Sequence, residues 1–311
     1  SGEYWRQSMT RFNAQNRVDA TLISNLRIMR RTLINQISKR CDKSKEIITG
    51  VVHALLSRSI FIKYLEERKD SNGETVFPQD FYCNFMESAK WYTDVLNSKE
   101  ATYNLFLTLK DKFNGDTLQV SEIETEIITQ DDLDELRTFI LGNSELESRQ
   151  LTLWPLYSFD IIPIQLISSI YELFFHLSDE EDEKGTYYTP LHLVNLVMDE
   201  VYPWEGEYKD ISFFDPSCGS GIFLVEAYRR LVCRWMSQNA VQAITCDRLN
   251  LLLKNSIFGV DINEEAIRVA SFSLSLAMCD FLDPRSIWDK LSFPSLLGKN
   301  LISSDFFDED K

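Results

Sequence analysis

The chain has 311 residues, of which 44% are hydrophobic and 26% are charged, and its formal net charge is −16. This length supports two domains that each bury a core, and the composition is that of an ordinary globular protein. The negative charge argues against a surface that follows nucleic-acid phosphates, so we expect most of any such surface to lie outside this chain.

The cysteines and histidines argue against a zinc site or a disulfide framework. The six cysteines contain no Cys-x-x-Cys pair, and the three histidines stand apart from one another. We interpret the cysteines as small buried residues in a reducing compartment. Since we find neither an apolar run that could span a bilayer nor an apolar segment at the start, we predict a cytoplasmic protein without a metal or a membrane partner.

The first part of the chain, residues 18 to 178, has the apolar periodicity of successive helices. One face of the first helix carries apolar residues at steps of three and four, namely Leu22, Leu26, Met29, Leu33 and Ile37. Ser44 is placed to cap a second helix, whose broad apolar stripe from Ile47 to Leu65 predicts burial on more than one side. We interpret the aromatic residues of this part as core residues rather than as a platform for stacking bases.

Further helical patterns follow in the same part of the chain. They are a pattern that begins with Phe81, Phe85 and Tyr92, one from Tyr103 to Phe113 ended by Gly115, one from Asp131 to Leu141 ended by Gly142, and one from Ile164 to Leu177. The acidic tract at 178–183 then predicts a solvated loop between two domains, where limited proteolysis should cut first. We find no catalytic set of residues before residue 184.

Residues 185–190, which read GTYYTP, predict a loop fixed to the start of a helix. Thr189 is an N-cap candidate and Pro190 suits the first helical position, with the helix continuing from Leu191 to Val201. From the residues alone, this segment is either a loop that faces a ligand or a capped helix with its tyrosines in a seam between domains.

Residues 214–224, which read FDPSCGSGIFL, predict a strand, a tight glycine turn and a helix. The strand covers Ile211 to Phe214, and helical periodicity extends from Ile222 to Met236. Gly219 and Gly221 allow the backbone to bend and a ligand to come close, while the helix start offers free N–H groups and a partial positive charge. We predict that a small ligand binds on this turn, the alternative being a generic glycine turn.

Two other nucleotide-binding motifs fit this turn less well. The dinucleotide fingerprint requires a glycine where Leu224 stands, and the Gly-Lys-Ser/Thr ending of a phosphate-binding P-loop does not occur in the chain. The separation of Asp215 from Asp261 also exceeds the roughly 20 residues that the dinucleotide fold uses. Leu224 and the long separation of the two acids both disfavour a nicotinamide cofactor.

A second buried strand is predicted from Ser256 to Val260, with Asp261 at its carboxyl end and Asn263 as the N-cap of the next helix. An acidic side chain at this position can accept hydrogen bonds from ribose hydroxyls, and the alternative is that Asp261 only caps the helix. The helix is predicted from Ala266 to Phe281. The run Lys299 to Phe307 follows and contains another acid, Asp305.

These motifs resemble those of amino-group DNA methyltransferases that bind S-adenosylmethionine, particularly the adenine-specific enzymes of restriction-modification systems. DPSCGSG closely resembles their glycine loop, while GTYYTP, FGVDINEEAIRVA and NxIxxDxF resemble three further motifs in the expected order. FIKYLEER (Phe61 to Arg68) and IYELFF (Ile170 to Phe175) look like segments of the helical domain in type I modification subunits and fused restriction-methylation enzymes.

The resemblance covers most of the chain and implies its fold. It implies an α-helical N-terminal domain over residues 1–180, followed by an α/β Rossmann-like methyltransferase domain over residues 181–311 that is truncated after its third strand. It also implies the cofactor S-adenosyl-L-methionine: the GTYYTP loop packs on its methionine end, Asp261 holds its ribose, and Asp305 receives its adenine amino group. The implied cofactor-binding residues are Gly185, Thr186, Tyr187, Tyr188, Thr189, Pro190, Asp215, Pro216, Ser217, Cys218, Gly219, Ser220, Gly221, Asp261, Ile262, Asp305 and Phe306.

The catalytic signature of this family, Asn/Asp-Pro-Pro-aromatic, does not occur in the chain, because no two of its eight prolines are adjacent. The sequence thus offers no catalytic residues, and we expect a part of a larger enzyme that binds the cofactor but does not methylate DNA by itself. The implied partners are double-stranded DNA, contacted mostly through other regions, and specificity or restriction subunits. Two alternatives stay open: a non-catalytic interaction subunit that keeps the pocket, and a methyltransferase acting on RNA or on a protein.

Overall fold

A computed structural model describes residues 22–142, 159, 189–239 and 243–307. These residues form two compact units. The first contains residues 22–68, 78–104, 121–142 and 159, and the second contains residues 69–77, 105–120 and those described from 189 onward. Two segments from the first half of the chain therefore belong to the same unit as its second half, which a division by chain order did not predict.

Several predicted features lie outside the described residues. They are the domain boundary near residue 180, the acidic tract at 178–183, and the helix from Ile164 to Leu177. The two-domain division at that boundary and its sensitivity to proteolysis therefore stay predictions.

The described part of the first unit is built from helices. They are α1 at residues 22–40, α2 at Lys45–Glu67, a 3₁₀ turn at Phe81–Asn84, α3 at Tyr92–Val95, α4 at Lys99–Phe113, α5 at Glu122–Ile127, and α6 at Gln130–Leu141. Of α4, only residues 99–104 belong to this unit. The predicted apolar face of α1 is buried along its whole length. Ser44 caps α2 as predicted, since its hydroxyl accepts the N–H of Ile47 at 3.4 Å.

The helix predicted to begin with Phe81, Phe85 and Tyr92 is wrong as a continuous element. Asp80 and Ser88 have positive φ angles of 57° and 65°, so the backbone turns before and within this run. Only the short 3₁₀ turn and the start of α3 are helical there, although Phe81 and Tyr92 are both buried as the apolar pattern predicted. The periodicity therefore identified core residues but not the local backbone.

The expectation that the chain contains no apolar run long enough to span a membrane is wrong for α2. Among the described helices it is long and apolar enough to do so by length and composition alone. However, 67% of its apolar window is buried inside the protein, which is typical of a core helix and makes the length criterion weak evidence.

A buried ion pair joins α2 to α5 within the first unit. The Arg58 guanidinium donates to both oxygens of the Glu124 carboxylate, at 2.6 and 3.1 Å, and the two side chains are 0% and 1% exposed. The Tyr103 hydroxyl donates to the same carboxylate at 3.4 Å. Burial, followed by the charge of Glu124, raises the pKa of Tyr103, so this hydroxyl keeps its proton.

The second unit contains a parallel three-stranded sheet in the order β1-β2-β3. Its strands are β1 at Phe213–Asp215, β2 at Ile257–Asp261 and β3 at Leu301–Ser303, and its helices are α7 at Leu191–Val201, α8 at Ile222–Gln238, α9 at Cys246–Ser256, α10 at Glu264–Cys279 and α11 at Pro284–Lys290. Parallel neighbours require crossover connections, which α8 and α9 supply before β2, and α10 and α11 before β3. The described residues thus confirm the predicted helix-rich α/β arrangement, while the Rossmann-like assignment and the truncation stay predictions.

One face of the sheet packs closely against α8. A Cβ atom at Gly259 would lie 2.7 Å from Leu224 and 2.9 Å from the Cys218 sulfur, so only glycine fits at the centre of β2. Side chains alternate between the two faces of a strand, and those of the opposite face are more open. There, Phe214 is 53% exposed and Ile302 is 43% exposed.

The Arg58–Glu124 pair generates a stability prediction. Replacing Glu124 by Gln removes the charge that compensates a buried guanidinium, which should lower the free energy of unfolding of the helical unit by about 3 kcal/mol. Urea denaturation followed by circular dichroism measures the change.

Glu126→Gln is the matched control on the same helix. Glu126 pairs with Lys43 at 3.7 Å near the surface, with side-chain exposures of 65% and 36%. Its loss should cost less than about 1 kcal/mol. Equal effects of the two substitutions would contradict a special contribution from the buried pair.

Candidate functional site

The glycine turn connects the carboxyl end of β1 directly to α8. Gly219 and Gly221 have φ angles of +52° and +79°, in the left-handed region that disfavours other residues. The N–H of Ser217 donates to the Asp215 carboxylate at 3.1 Å, and the N–H of Gly221 donates to the Cys218 carbonyl at 2.8 Å. The predicted strand, glycine turn and helix are therefore confirmed.

The two glycines serve different purposes. A Cβ atom at Gly221 would lie 2.9 Å from the Cβ of Ala270, so this glycine lets α10 approach the turn. A Cβ atom at Gly219 would have no heavy atom of the described residues within 4 Å. Within the described part of the chain, the backbone at Gly219 is therefore open on that side, whereas Gly221 is required by packing.

Asp261, at the carboxyl end of β2, connects three elements of the site. One carboxylate oxygen accepts the N–H of Gly219 at 2.9 Å, and the other accepts the N–H of Asn263 at 2.9 Å. Its backbone carbonyl accepts the N–H of Ser304, just after β3, at 3.0 Å. Because a carboxylate has about four acceptor positions, each oxygen can accept a further hydrogen bond.

Asn263 is the N-cap of α10, as predicted. Its side-chain oxygen accepts the N–H groups of Glu265 and Ala266 at 2.9 and 3.4 Å. Asp261 is therefore not the cap of this helix, although it orients the capping residue. The sequence did not predict that Asp261 also holds the glycine turn.

Asp215 lies close enough to Asp261 for the two carboxylates to influence each other. Burial raises the pKa of Asp215, the hydrogen bond from the Ser217 N–H lowers it, and the charge of Asp261 raises it, with a net increase. Adjacent acids at the strand ends therefore favour a ligand that donates hydrogen bonds, such as a sugar with free hydroxyls.

Cys218 is a packing residue within the turn. Its side chain is buried, and its N–H donates to the Val260 carbonyl at 2.9 Å, which fixes the turn to β2. Burial, followed by the charges of Asp215 and Asp261, raises the pKa of the Cys218 thiol. The sulfur is therefore a neutral thiol against Gly259 and is poorly suited to act as a nucleophile.

Exposed apolar side chains lie beside the acids at this edge of the sheet. Ile262 is 77% exposed and Phe306 is 49% exposed, and the Phe306 ring lies 5.7 Å from the ring of Phe214. Asp305 is exposed as well, and its carboxylate accepts the N–H of Phe307 at 2.9 Å. Phe214 was not among the predicted site residues, because its contact with Phe306 depends on how the strands are arranged.

The structure says less about the other predicted site residues, which are those of the GTYYTP loop and two residues of the glycine turn. Gly185, Thr186, Tyr187 and Tyr188 lie outside the described residues. Thr189 is not the N-cap of α7, because the helix begins at Leu191 and Pro190 occupies the cap position without a side-chain hydrogen bond. Ser220 is buried and Pro216 is exposed. The role of the GTYYTP loop therefore stays a prediction.

Comparison with known proteins supports the sequence resemblance. Residues 163–286 match the family described as N-6 DNA Methylase, a span that includes the glycine turn and Asp261. Adenine-specific methyltransferase PglX of Streptomyces coelicolor is 40% identical over 70 residues, covering 22% of this chain and 6% of PglX. Adenine-specific methyltransferase BrxX of Escherichia coli O9:H4 is 32% identical over 120 residues, covering 32% of this chain and 10% of BrxX. The matched segments are thus small parts of much longer relatives.

Two solved structures resemble the chain at low identity. The Type IIL restriction-modification enzyme MmeI in complex with DNA has a TM-score of 0.45 and 14% identity, covering 93% of this chain and 40% of that chain. A modification subunit of a putative type I restriction enzyme from Vibrio vulnificus YJ016 has a TM-score of 0.42 and 14% identity, covering 85% of this chain and 56% of that chain. TM-scores below 0.5 do not establish a shared fold.

The contact between Gly221 and Ala270 generates a prediction about the turn. Gly221→Ala places a Cβ atom at a left-handed φ and also against Ala270. It should therefore lower the free energy of unfolding by about 1–3 kcal/mol more than a Gly→Ala substitution that introduces only the backbone strain. Gly298→Ala is the matched control, because Gly298 also has a positive φ of 71° but a Cβ atom there would have no heavy atom within 4 Å among the described residues. Chemical denaturation of both variants measures the difference, and equal losses would show that the contact with α10 is unimportant.

Proposed function

Taking as premise that residues 163–286 carry the sequence pattern of the N-6 DNA methylase family, we propose that this chain binds S-adenosylmethionine within an adenine-specific DNA methyltransferase of a restriction-modification system. The observation that carries the proposal is the Asp261 carboxylate. It holds the glycine turn at Gly219 and the start of α10 at Asn263, and it retains capacity for two further hydrogen bonds.

The described residues fit the chemical groups of this cofactor. Asp261 would accept hydrogen bonds from the two ribose hydroxyls, and the exposed carboxylate of Asp305 would accept one from the adenine amino group. Ile262 and Phe306 are exposed apolar side chains that would cover the adenine ring. Gly219 would let the ligand approach the backbone, because a Cβ atom there would meet no atom of the residues that the structure describes within 4 Å.

The contribution of these residues to the reaction is positioning. When bound, S-adenosylmethionine supplies a methyl group attached to a sulfonium. Asp261 ends β2, and Asp305 follows the neighbouring parallel strand β3. The sheet therefore fixes the distance between the two carboxylates, so that the ligand is oriented before reaction. In the whole protein, the acceptor would be the exocyclic amino group of an adenine flipped out of the duplex.

DNA contacts would come mainly from other parts of the whole protein. The net charge of −16 disfavours an extensive phosphate-binding surface on this chain. The residues that would orient the target amino group are also not identifiable here, because the chain has no adjacent prolines. Specificity or restriction subunits would be additional partners of the whole protein.

The first experiment tests cofactor binding and the role of Asp261. Isothermal titration with S-adenosylhomocysteine should show binding, and Asp261→Asn should weaken it by about 1–3 kcal/mol, since a charged acceptor becomes a neutral amide. Glu264→Gln is the control, because Glu264 lies nearby on α10 but pairs with Arg268 at the surface.

The outcomes separate binding from structural support. A folded wild-type protein that shows no binding at millimolar ligand would contradict the proposed function. If Asp261→Asn lowered stability but kept the wild-type affinity, Asp261 would be only a structural residue of the turn.

The second experiment tests whether this chain transfers the methyl group. We expect no incorporation of radiolabelled methyl from S-adenosylmethionine into a mixed-sequence duplex, because the chain lacks the signature that orients the target amino group. Orientation of reactants accounts for about 7–11 kcal/mol of barrier lowering in favourable cases, so its loss should abolish detectable transfer. Incorporation above the background without protein would show that other residues position the acceptor.

A further inference from the structure

Asp116 comes from the first half of the chain but belongs to the compact unit that contains the sheet. It begins a 3₁₀ helix, Asp116–Leu118, shortly after α4 ends at Phe113. Asn114, between them, has a positive φ of 49°, which turns the chain out of the α4 direction. This turn brings the Asp116 carboxylate to the segment that precedes β3.

The backbone before Asp116 is fixed against that same segment. The N–H of Phe293 donates to the Phe113 carbonyl at 2.7 Å, and the rings of the two residues lie 6.1 Å apart. A Cβ atom at Gly115 would lie 3.2 Å from the Phe293 ring. Residues 113–116 therefore approach the chain near residue 293 too closely for the contact to be incidental.

From the described residues, the Asp116 carboxylate accepts four hydrogen bonds, all from neutral donors. One oxygen accepts the N–H groups of Leu296 and Leu297 at 2.9 and 3.2 Å, and the Ser271 hydroxyl at 3.0 Å. The other oxygen accepts the Ser295 hydroxyl at 3.2 Å. A carboxylate suits four donors because it has only acceptor positions, and its charge strengthens each of these hydrogen bonds.

These donors belong to two elements that support the proposed nucleotide site, namely the segment before β3 and helix α10. The Leu296 carbonyl accepts the N–H of Leu301, the first residue of β3, at 3.0 Å. β3 ends at Ser303, two residues before Asp305. Ser271 follows Ala270, the residue of α10 that a Cβ atom at Gly221 would touch. Asp116 is therefore bonded to the segment that places Asp305 and to the helix that supports the glycine turn.

We propose that Asp116 is a positioning residue for the nucleotide site, acting through the start of β3 and through α10 without contacting the ligand. The inference rests on the proposed function, since it assigns Asp116 a part in cofactor affinity. It also gives the segment 105–120 a role beyond that of a helical domain: the segment sets the distance between Asp305 and the glycine turn.

The main test is Asp116→Asn, examined at a temperature where circular dichroism shows the variant to be folded. The amide oxygen is a neutral and weaker acceptor for the bonds from Leu296, Leu297 and Ser271, so the Kd for S-adenosylhomocysteine should rise about tenfold. Adenosine should show the same factor, because it carries the adenine and ribose that Asp305 and Asp261 would contact. Amide hydrogen exchange at Leu296, Leu297 and along β3 should become faster.

Asp111→Asn is the matched control, since Asp111 is an exposed acid on α4. Its Kd and its exchange rates should match those of the wild-type protein. The double variant Ser271→Ala, Ser295→Ala keeps the carboxylate and both backbone donors, and should raise the Kd by about two- to fivefold. It provides the test if Asp116→Asn does not fold.

The outcomes distinguish this inference from the proposed function. A wild-type protein that binds neither ligand overturns the proposed function and the inference with it. Wild-type binding with an unchanged Kd in folded Asp116→Asn overturns the inference alone, even if the variant is less stable. A raised Kd for both ligands with faster exchange at β3, and no change in Asp111→Asn, supports it.

Discussion

The hydrogen bonds of the Asp261 carboxylate are the interaction on which the candidate site depends. A single side chain fixes the turn after β1 through Gly219 and the turn after β2 through Asn263. Its backbone carbonyl holds Ser304 just beyond β3. Three strand ends that are distant in sequence therefore share one anchor, and the positions of the neighbouring acids follow from it.

Local signals in the sequence were sufficient for the glycine turn and the elements next to it, whereas α9 and α11 were not predicted. The apolar run before Asp215, the two glycines and the capping Asn263 each carry a conformational preference that acts over a few residues, and the structure confirms all three. Thr189 failed as a cap because Pro190 occupies that position itself. The predicted helix after Phe81 failed for a different local reason. Residues with a left-handed backbone interrupt the helix there, while the spacing of the apolar residues stays that of a helix.

Contacts between distant parts of the chain were not predictable in this way. Asp116 has no neighbour in sequence that marks it as an acceptor for Leu296 or Ser271, because those donors are more than 150 residues away along the chain. The double use of Asp261 and the contact of Phe214 with Phe306 also depend on strand order. Sequence periodicity gives the faces of elements, whereas these contacts arise from how the elements are assembled.

The close packing at Gly259 constrains how this chain can vary. A hydrogen atom is the largest substituent that fits between β2 and the side chains of Cys218 and Leu224. A methyl group at 259 would be tolerated only if one of those partners lost a comparable volume. Positions 218, 224 and 259 therefore share one fixed volume, and substitutions among relatives should be correlated at these three sites rather than independent.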